Sequence, residues 1–127
     1  MKYIHTENAP KAVGPYTQAI VSNGFVFCSG QIGIDPDTQE LFEGFEEQAH
    51  QVLKNLINVL QAANSSLNSV IKTTVFLVDI NDYPKLNEIY AQYFSEHKPA
   101  RSAVTVAKLP KGALIEIEAV AECGKQK

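Results

Sequence analysis

Tryptophan is absent from this 127-residue chain, arginine occurs once and cysteine only twice. Each scarcity excludes something. Cys28 and Cys123 lie far apart, forming neither a C-x-x-C metal spacing nor a disulfide framework. Both sit in apolar, strand-like runs, where a reduced cysteine behaves as a small hydrophobe. His5, His50 and His97 are scattered, without an H-x-H or H-E-x-x-H pair, so no metal site is expected. No apolar run approaches the ~20 residues needed to span a bilayer. The first residues, Met1 to Glu7, lack the apolar centre of a secretory signal, so a cytoplasmic protein is expected. A basic excess is also missing. Eleven Lys and Arg face fourteen Asp and Glu, for a net charge of −3. Nothing there supplies the positive field that a phosphate backbone requires, so neither a nucleic-acid nor a membrane partner is expected. The phosphate loop G-x-x-x-x-G-K and the nucleophile elbow G-x-S-x-G are both absent.

What is present describes one folded domain over residues 1–127. Hydrophobic residues make up 45% and charged residues 20%, a globular rather than a disordered composition. Residues 1–17 read as a polar loop with turns at Ala9-Pro10 and Gly14-Pro15. Ala19–Ser22 and Phe25–Cys28 flank Asn23-Gly24, a strong hairpin signal, because both turn positions need positive φ. From Gly44 to Ala63 the period lengthens. Ala49, Val52, Leu53, Leu56, Leu60 and Ala63 form a helical stripe. Val70–Val78 is β-branched and apolar and reads as a buried central strand. A second helix, capped by Asp79 or Asp82, carries the stripe Leu86, Ile89, Tyr90, Tyr93, Phe94 and stops by Pro99. Strands follow at Ser102–Ala107 and Leu114–Ala121, separated by the turn Lys108–Gly112. The order ββ(β)αβαββ predicts an α+β layer, a mixed sheet with both helices on one face. The other face then has no cover within the chain, which predicts packing against another copy.

Few residues invite chemistry. Arg101 is the one guanidinium among ten lysines. Its planar fork matches a carboxylate through two parallel hydrogen bonds. From the residues alone the plainer reading leads, a structural salt bridge or a contact with a helix C-terminus, since most arginines are surface or structural. Glu116 and Glu118 share one face of the last strand, opposite Ile115, Ile117 and Ala119. They fit either a solvated strand face that deters aggregation or a carboxylate that activates water. In Ser29-Gly30-Gln31 the glycine permits close backbone approach by a ligand. Asn87, among apolar helix positions, is either an exposed, locally bonded side chain or a ligand contact.

The segments carry more together than singly. Gly14-Pro15-Tyr16-Thr17-Gln18-Ala19, Ser29-Gly30-Gln31-Ile32, Lys72–Phe76, Asn87–Tyr90, Pro99-Ala100-Arg101-Ser102, and Leu109-Pro110-Lys111 before Ile115–Ala119 occur in this order. In that order the chain closely resembles the RidA family of reactive intermediate deaminases, the YjgF-type proteins, from about Thr6 to Ala121. The resemblance implies a chorismate-mutase-like fold, a mixed six-stranded sheet with two helices on one face. It implies a homotrimer with the sheets facing inward and clefts between subunits. Those clefts take small 2-imino or 2-oxo acids and need no cofactor. By resemblance Arg101 clamps the carboxylate and Glu116, rather than Glu118, holds the attacking water. Tyr16, Ser29, Gly30, Asn87 and Ala103 match positions that line the cleft. The implied role is hydrolysis of 2-iminobutanoate or 2-iminopropanoate, the tautomers of enamines such as 2-aminoacrylate, to 2-oxo acids and ammonia, a task of metabolite damage control.

Three positions depart from the family pattern: Ala103 stands where many members have Cys, Thr105 where an acidic residue is frequent, and Cys28 where Thr is common. The first departure keeps a second reading open, a non-catalytic regulatory protein that binds 2-oxo acids. A third reading, an endoribonuclease or translation inhibitor, runs against the acidic charge balance. Chorismate mutase is an analogy of fold alone, since a dianionic substrate favours several arginines.

Overall fold

The computed structural model describes residues 1–123. A single six-stranded sheet runs in the order β1-β2-β3-β6-β4-β5. Its strands are β1 (Lys2–Ile4), β2 (Ala19–Ser22), β3 (Phe25–Gln31), β4 (Val70–Leu77), β5 (Ala100–Thr105) and β6 (Ile115–Glu122). The helices are α1 (Phe45–Ala62) and α2 (Tyr83–Tyr93). The Asn23-Gly24 hairpin is present, with φ of 53° and 82°, the positive values its tight turn demands. Only β4 and β5 pair in parallel, and α2 bridges them, as a parallel pair requires a crossover. The sheet is therefore mixed, as expected.

One side of the sheet is sealed by the helices. The α1 stripe of Ala49, Val52, Leu53, Leu56, Val59 and Leu60 joins Leu86, Ile89 and Tyr90 of α2 in one core. Val26 and Cys28 of β3, Val75 and Leu77 of β4, and Ile115, Ile117, Ala119 and Ala121 of β6 meet them there. Two polar residues inside this core anchor loops. Asn55 donates to the carbonyls of Ile32 and Ile34 at 3.2 and 2.9 Å. Gln48 donates to Phe42 O and accepts from Leu114 N, both at 2.8 Å, tying α1 to the start of β6. The alternate residues leave on the opposite face, which no helix among the described residues covers. There Phe25, Phe27 and Val104 are exposed.

The structure revises four details. Lys2–Ile4, read as loop, is an edge strand paired with β2. β5 begins two residues before the expected Ser102 and ends at Thr105. α2 ends at Tyr93, well before Pro99, with Phe94 turning out of the helix at ψ 69°. Asp79 caps a short 3₁₀ turn by accepting from Asn81 N, whereas Asp82 stands at the α2 N-cap without a side-chain cap bond.

Candidate active site

Two bulges distort the sheet, and one shapes the site. Cys28 pairs with Ala119 and Gln31 with Ile117, so Ser29 and Gly30 together oppose the single residue Glu118. A bulge of this kind bends its strand and re-aims side chains. Here it draws the Gly30 backbone under Glu116. A side chain at position 30 would collide with the Glu116 carboxylate. The close approach foreseen at Gly30 is thus made by a protein carboxylate. Burial lifts the Glu116 pKa above the usual carboxylate range, and the charge of Glu118 lifts it further.

Glu116, Glu118, Ser29 and Gly30 line a cleft of about 730 Å³. Its other wall is the N-terminal strap that carries Tyr16, 55% exposed. Gln18 pins this strap. Only 2% exposed, it accepts from Thr6 N at 2.7 Å and donates to Thr6 O and Pro10 O at 3.1 and 2.8 Å. Ser29 closes the corner, its hydroxyl donating to Thr17 O at 2.6 Å. That bond commits the Ser29 proton and leaves its lone pairs for a donor in the cleft.

Arg101 lies elsewhere. On edge strand β5, its Nη2 donates to Asn87 Oδ1 at 2.8 Å and Tyr83 Oη at 3.0 Å, both on α2. Its guanidinium carbon stands 4.8 Å from the ring centre of Tyr90 and 5.6 Å from that of Tyr83. Among the described residues no carboxylate pairs with it, the one salt bridge there being Lys85–Glu88. It makes no ion pair among the described residues, and it meets the side chains of Tyr83, Asn87 and Tyr90 along α2. Asn87 accepts from Arg101 instead of bonding locally. Ala103, two residues along the same face of β5, packs against the core.

The expected site residues therefore fall into two groups. Tyr16, Ser29, Gly30 and Glu116 share the cleft; Arg101, Asn87 and Ala103 stand apart from it. The reason is strand geometry. Arg101 reaches α2, whereas Glu116 alternates with the buried Ile115 and Ile117 and leaves on the open face. Sequence reasoning missed Tyr83, the Tyr90–Thr73 pair and the strap role of Gln18. A tyrosine in an apolar stripe was the available signal, because a buried phenol needs a partner. Among the described residues no three His, Cys, Asp or Glu side chains gather as a metal site, and no helix is long and apolar enough to cross a membrane.

The family model described as endoribonuclease L-PSP matches residues 6–123. The chain belongs to this family, the RidA or YjgF family. A RutC family protein of Pyrococcus horikoshii is 58% identical over 93% of this chain and 94% of its own. The human 2-iminobutanoate/2-iminopropanoate deaminase is 51% identical over 94% of this chain and 88% of its own. The crystal structure of RidA from an Antarctic Psychrobacter superposes with a TM-score of 0.94 at 48% identity, covering 96% of this chain and 99% of that one. RidA-type architecture and the mixed six-stranded sheet with two helices thus agree with the sequence reading.

Proposed function

We propose that this RidA-family protein is a deaminase that hydrolyses 2-imino acids, such as 2-iminobutanoate and 2-iminopropanoate, to 2-oxo acids and ammonia. The observation that carries the reading is Arg101. A lone guanidinium held by two neutral oxygens and an aromatic face, with no carboxylate partner among the described residues, is prepared for a ligand carboxylate. Mammalian relatives at about half identity bearing that deaminase name support it.

Arg101 and Glu116 act together only if a second copy brings its Arg101 edge to the Glu116 cleft. The uncovered sheet face, with Phe25, Phe27 and Val104, offers the surface for such packing, and a homotrimer with inward-facing sheets satisfies it. In the joined site Arg101 fixes the substrate carboxylate, which supplies orientation. Glu116 takes a proton from water as the oxygen adds to the imine carbon. Ser29 accepts from the imine nitrogen. From the protonated imine this gives a neutral carbinolamine; Glu116 returns its proton to the nitrogen, the C–N bond breaks as the hydroxyl proton passes to Glu116 and on to solvent, and ammonia and the 2-oxo acid depart.

The test generates imino acids with an amino-acid oxidase and traps the surviving imine with semicarbazide. Wild type suppresses trapping, and Arg101→Ala does not. If both behave as buffer, the deaminase reading falls and 2-oxo-acid binding is what the Arg101 cradle retains. Cleavage of RNA has support in the family description, but the two glutamates in the cleft disfavour a polyanion.

A further inference from the structure

The surroundings of Arg101 form a closed circuit. Its guanidinium lies over the Tyr90 ring at 4.8 Å, closer than over Tyr83. The Tyr90 hydroxyl shares a buried 2.7 Å hydrogen bond with Thr73 Oγ1. Thr73, fully buried, is the direct neighbour of Arg101 across the β4–β5 ladder. The circuit thus returns through the sheet to the backbone of the residue it supports.

Each part has a separate physical task. The bonds to Asn87 and Tyr83 hold one nitrogen, Nη2, and leave the guanidinium free to tilt about it. An aromatic face removes that freedom, because the cation prefers to lie over the ring. A ring can do so only if it is itself fixed. Packing beside Phe94, with ring centres 4.7 Å apart, constrains one side of Tyr90, and the Thr73 bond constrains its tip. Thr73 stands in a strand otherwise rich in β-branched apolar residues, where its hydroxyl is the group that Tyr90 requires.

We propose that Tyr90 is the positioning residue of Arg101: its ring sets the plane of the guanidinium, and Thr73 fixes the ring. Neither residue touches the reacting atoms. The proposal rests on the carboxylate-clamp reading for its substrate, but the platform itself is a property of this chain alone.

Four variants test it: Tyr90→Leu, Tyr90→Phe, Thr73→Val and the pair Thr73→Val with Tyr90→Phe. Three readouts are taken: kcat and KM for 2-iminobutanoate formed in place, the Kd of 2-oxobutanoate by calorimetry, and the side-chain NMR signal of Arg101. Because the chain has one arginine, that signal needs no assignment. Tyr90→Leu is expected to raise KM and Kd about tenfold with kcat within about twofold, the pattern of lost uniform binding. Tyr90→Phe keeps the ring and stays within about threefold of wild type on KM and Kd. Thr73→Val removes the tether and leaves a buried hydroxyl unpaired, so the Arg101 signal broadens, binding weakens and Tm falls; adding Tyr90→Phe removes the unpaired partner and recovers Tm, while the Arg101 signal stays broad because the tether is still missing.

If wild type shows no turnover but binds 2-oxobutanoate, the deaminase reading fails and the platform is judged on Kd. If it does neither, the Arg101 signal decides. If Tyr90→Leu does not fold, the Thr73→Val and double-variant comparison decides. The proposal is overturned if folded Tyr90→Leu keeps wild-type KM, Kd and Arg101 signal. It is equally overturned if Tyr90→Phe falls as far as Tyr90→Leu, or if Thr73→Val loses thermal stability alone while binding and the Arg101 signal stay unchanged.

Discussion

The Glu116 carboxylate occupies the space into which any side chain at Gly30 would project. The group that would have to move is the end of a flexible chain, so the fold tolerates the collision and the chemistry does not. Gly30→Ala is expected to keep its Tm within about 4 °C of wild type. Its kcat should fall about 100-fold, the scale of a 1 Å misplacement. A Gly30→Ala protein with wild-type kcat would show that Glu116 need not sit where it does.

The pH dependence follows from the same carboxylate. Glu116 titrates above the usual carboxylate range, first because it is buried and second because Glu118 repels its charge. A base works only when ionised, so kcat/KM rises with pH through that elevated step. Glu118→Gln removes the smaller cause and shifts the step to lower pH. Stability runs the other way. The folded chain holds this proton more tightly than the unfolded chain, so the Glu116 contribution is full below the ordinary carboxylate pKa and is lost as pH rises through the elevated one. Glu116→Gln abolishes both the rate step and this part of the stability slope, as paired rate profiles and melts at several pH values will register.

Arg101→Lys keeps the charge and discards the fork. Bonds to charged groups contribute ~1.5–3 kcal/mol, so kcat/KM should drop about 10- to 100-fold. Because no protein carboxylate pairs with Arg101 among the described residues, the melting curve should not move. A large loss of Tm would restore a structural role to this side chain.

Gln18→Ala removes three hydrogen bonds from the strap at once. A loss of about 2–4 kcal/mol is expected in urea titration, since buried partners are left unsatisfied. Limited proteolysis should cut first within residues 5–17, and uncut strap at wild-type rates would argue that its other anchors suffice.

Burial pushes the Cys28 thiol up to about 12, so it carries almost no thiolate near neutrality. A disulfide-exchange reagent at pH 8 should leave Cys28 untouched in the native protein and modify it in denaturant. Rapid native labelling at that position, mapped by peptide mass, would contradict the packing around β3.

Much of the architecture was legible because it is local. The Asn23-Gly24 turn, the α1 stripe and the alternation of Ile115, Ile117 and Ala119 each express their own period. The Lys2–Ile4 strand was not legible, since three residues show no alternation and pairing with β2 defines them. Arg101 and Glu116 were individually visible as unusual groups. Their separation was not, because the face from which Arg101 departs depends on the β4–β5 register. Tyr90 was read as core, which it is; that its ring also supports a cation depends on Arg101 arriving eleven positions later from a neighbouring strand.

The opposed departures of Arg101 and Glu116 separate folding from competence. On the proposed deaminase reading, an isolated folded chain holds two halves of a reaction centre and no whole one. If copies join the halves as proposed, dilution extinguishes the rate while the circular dichroism of each chain persists. Two dead proteins then become informative together: Arg101→Ala and Glu116→Ala, mixed and reassembled as trimers, recover up to about a quarter of the wild-type rate, because each mixed ring regains one intact junction. The abundance of the chain would in that case set how much deaminase exists, as well as how fast it works.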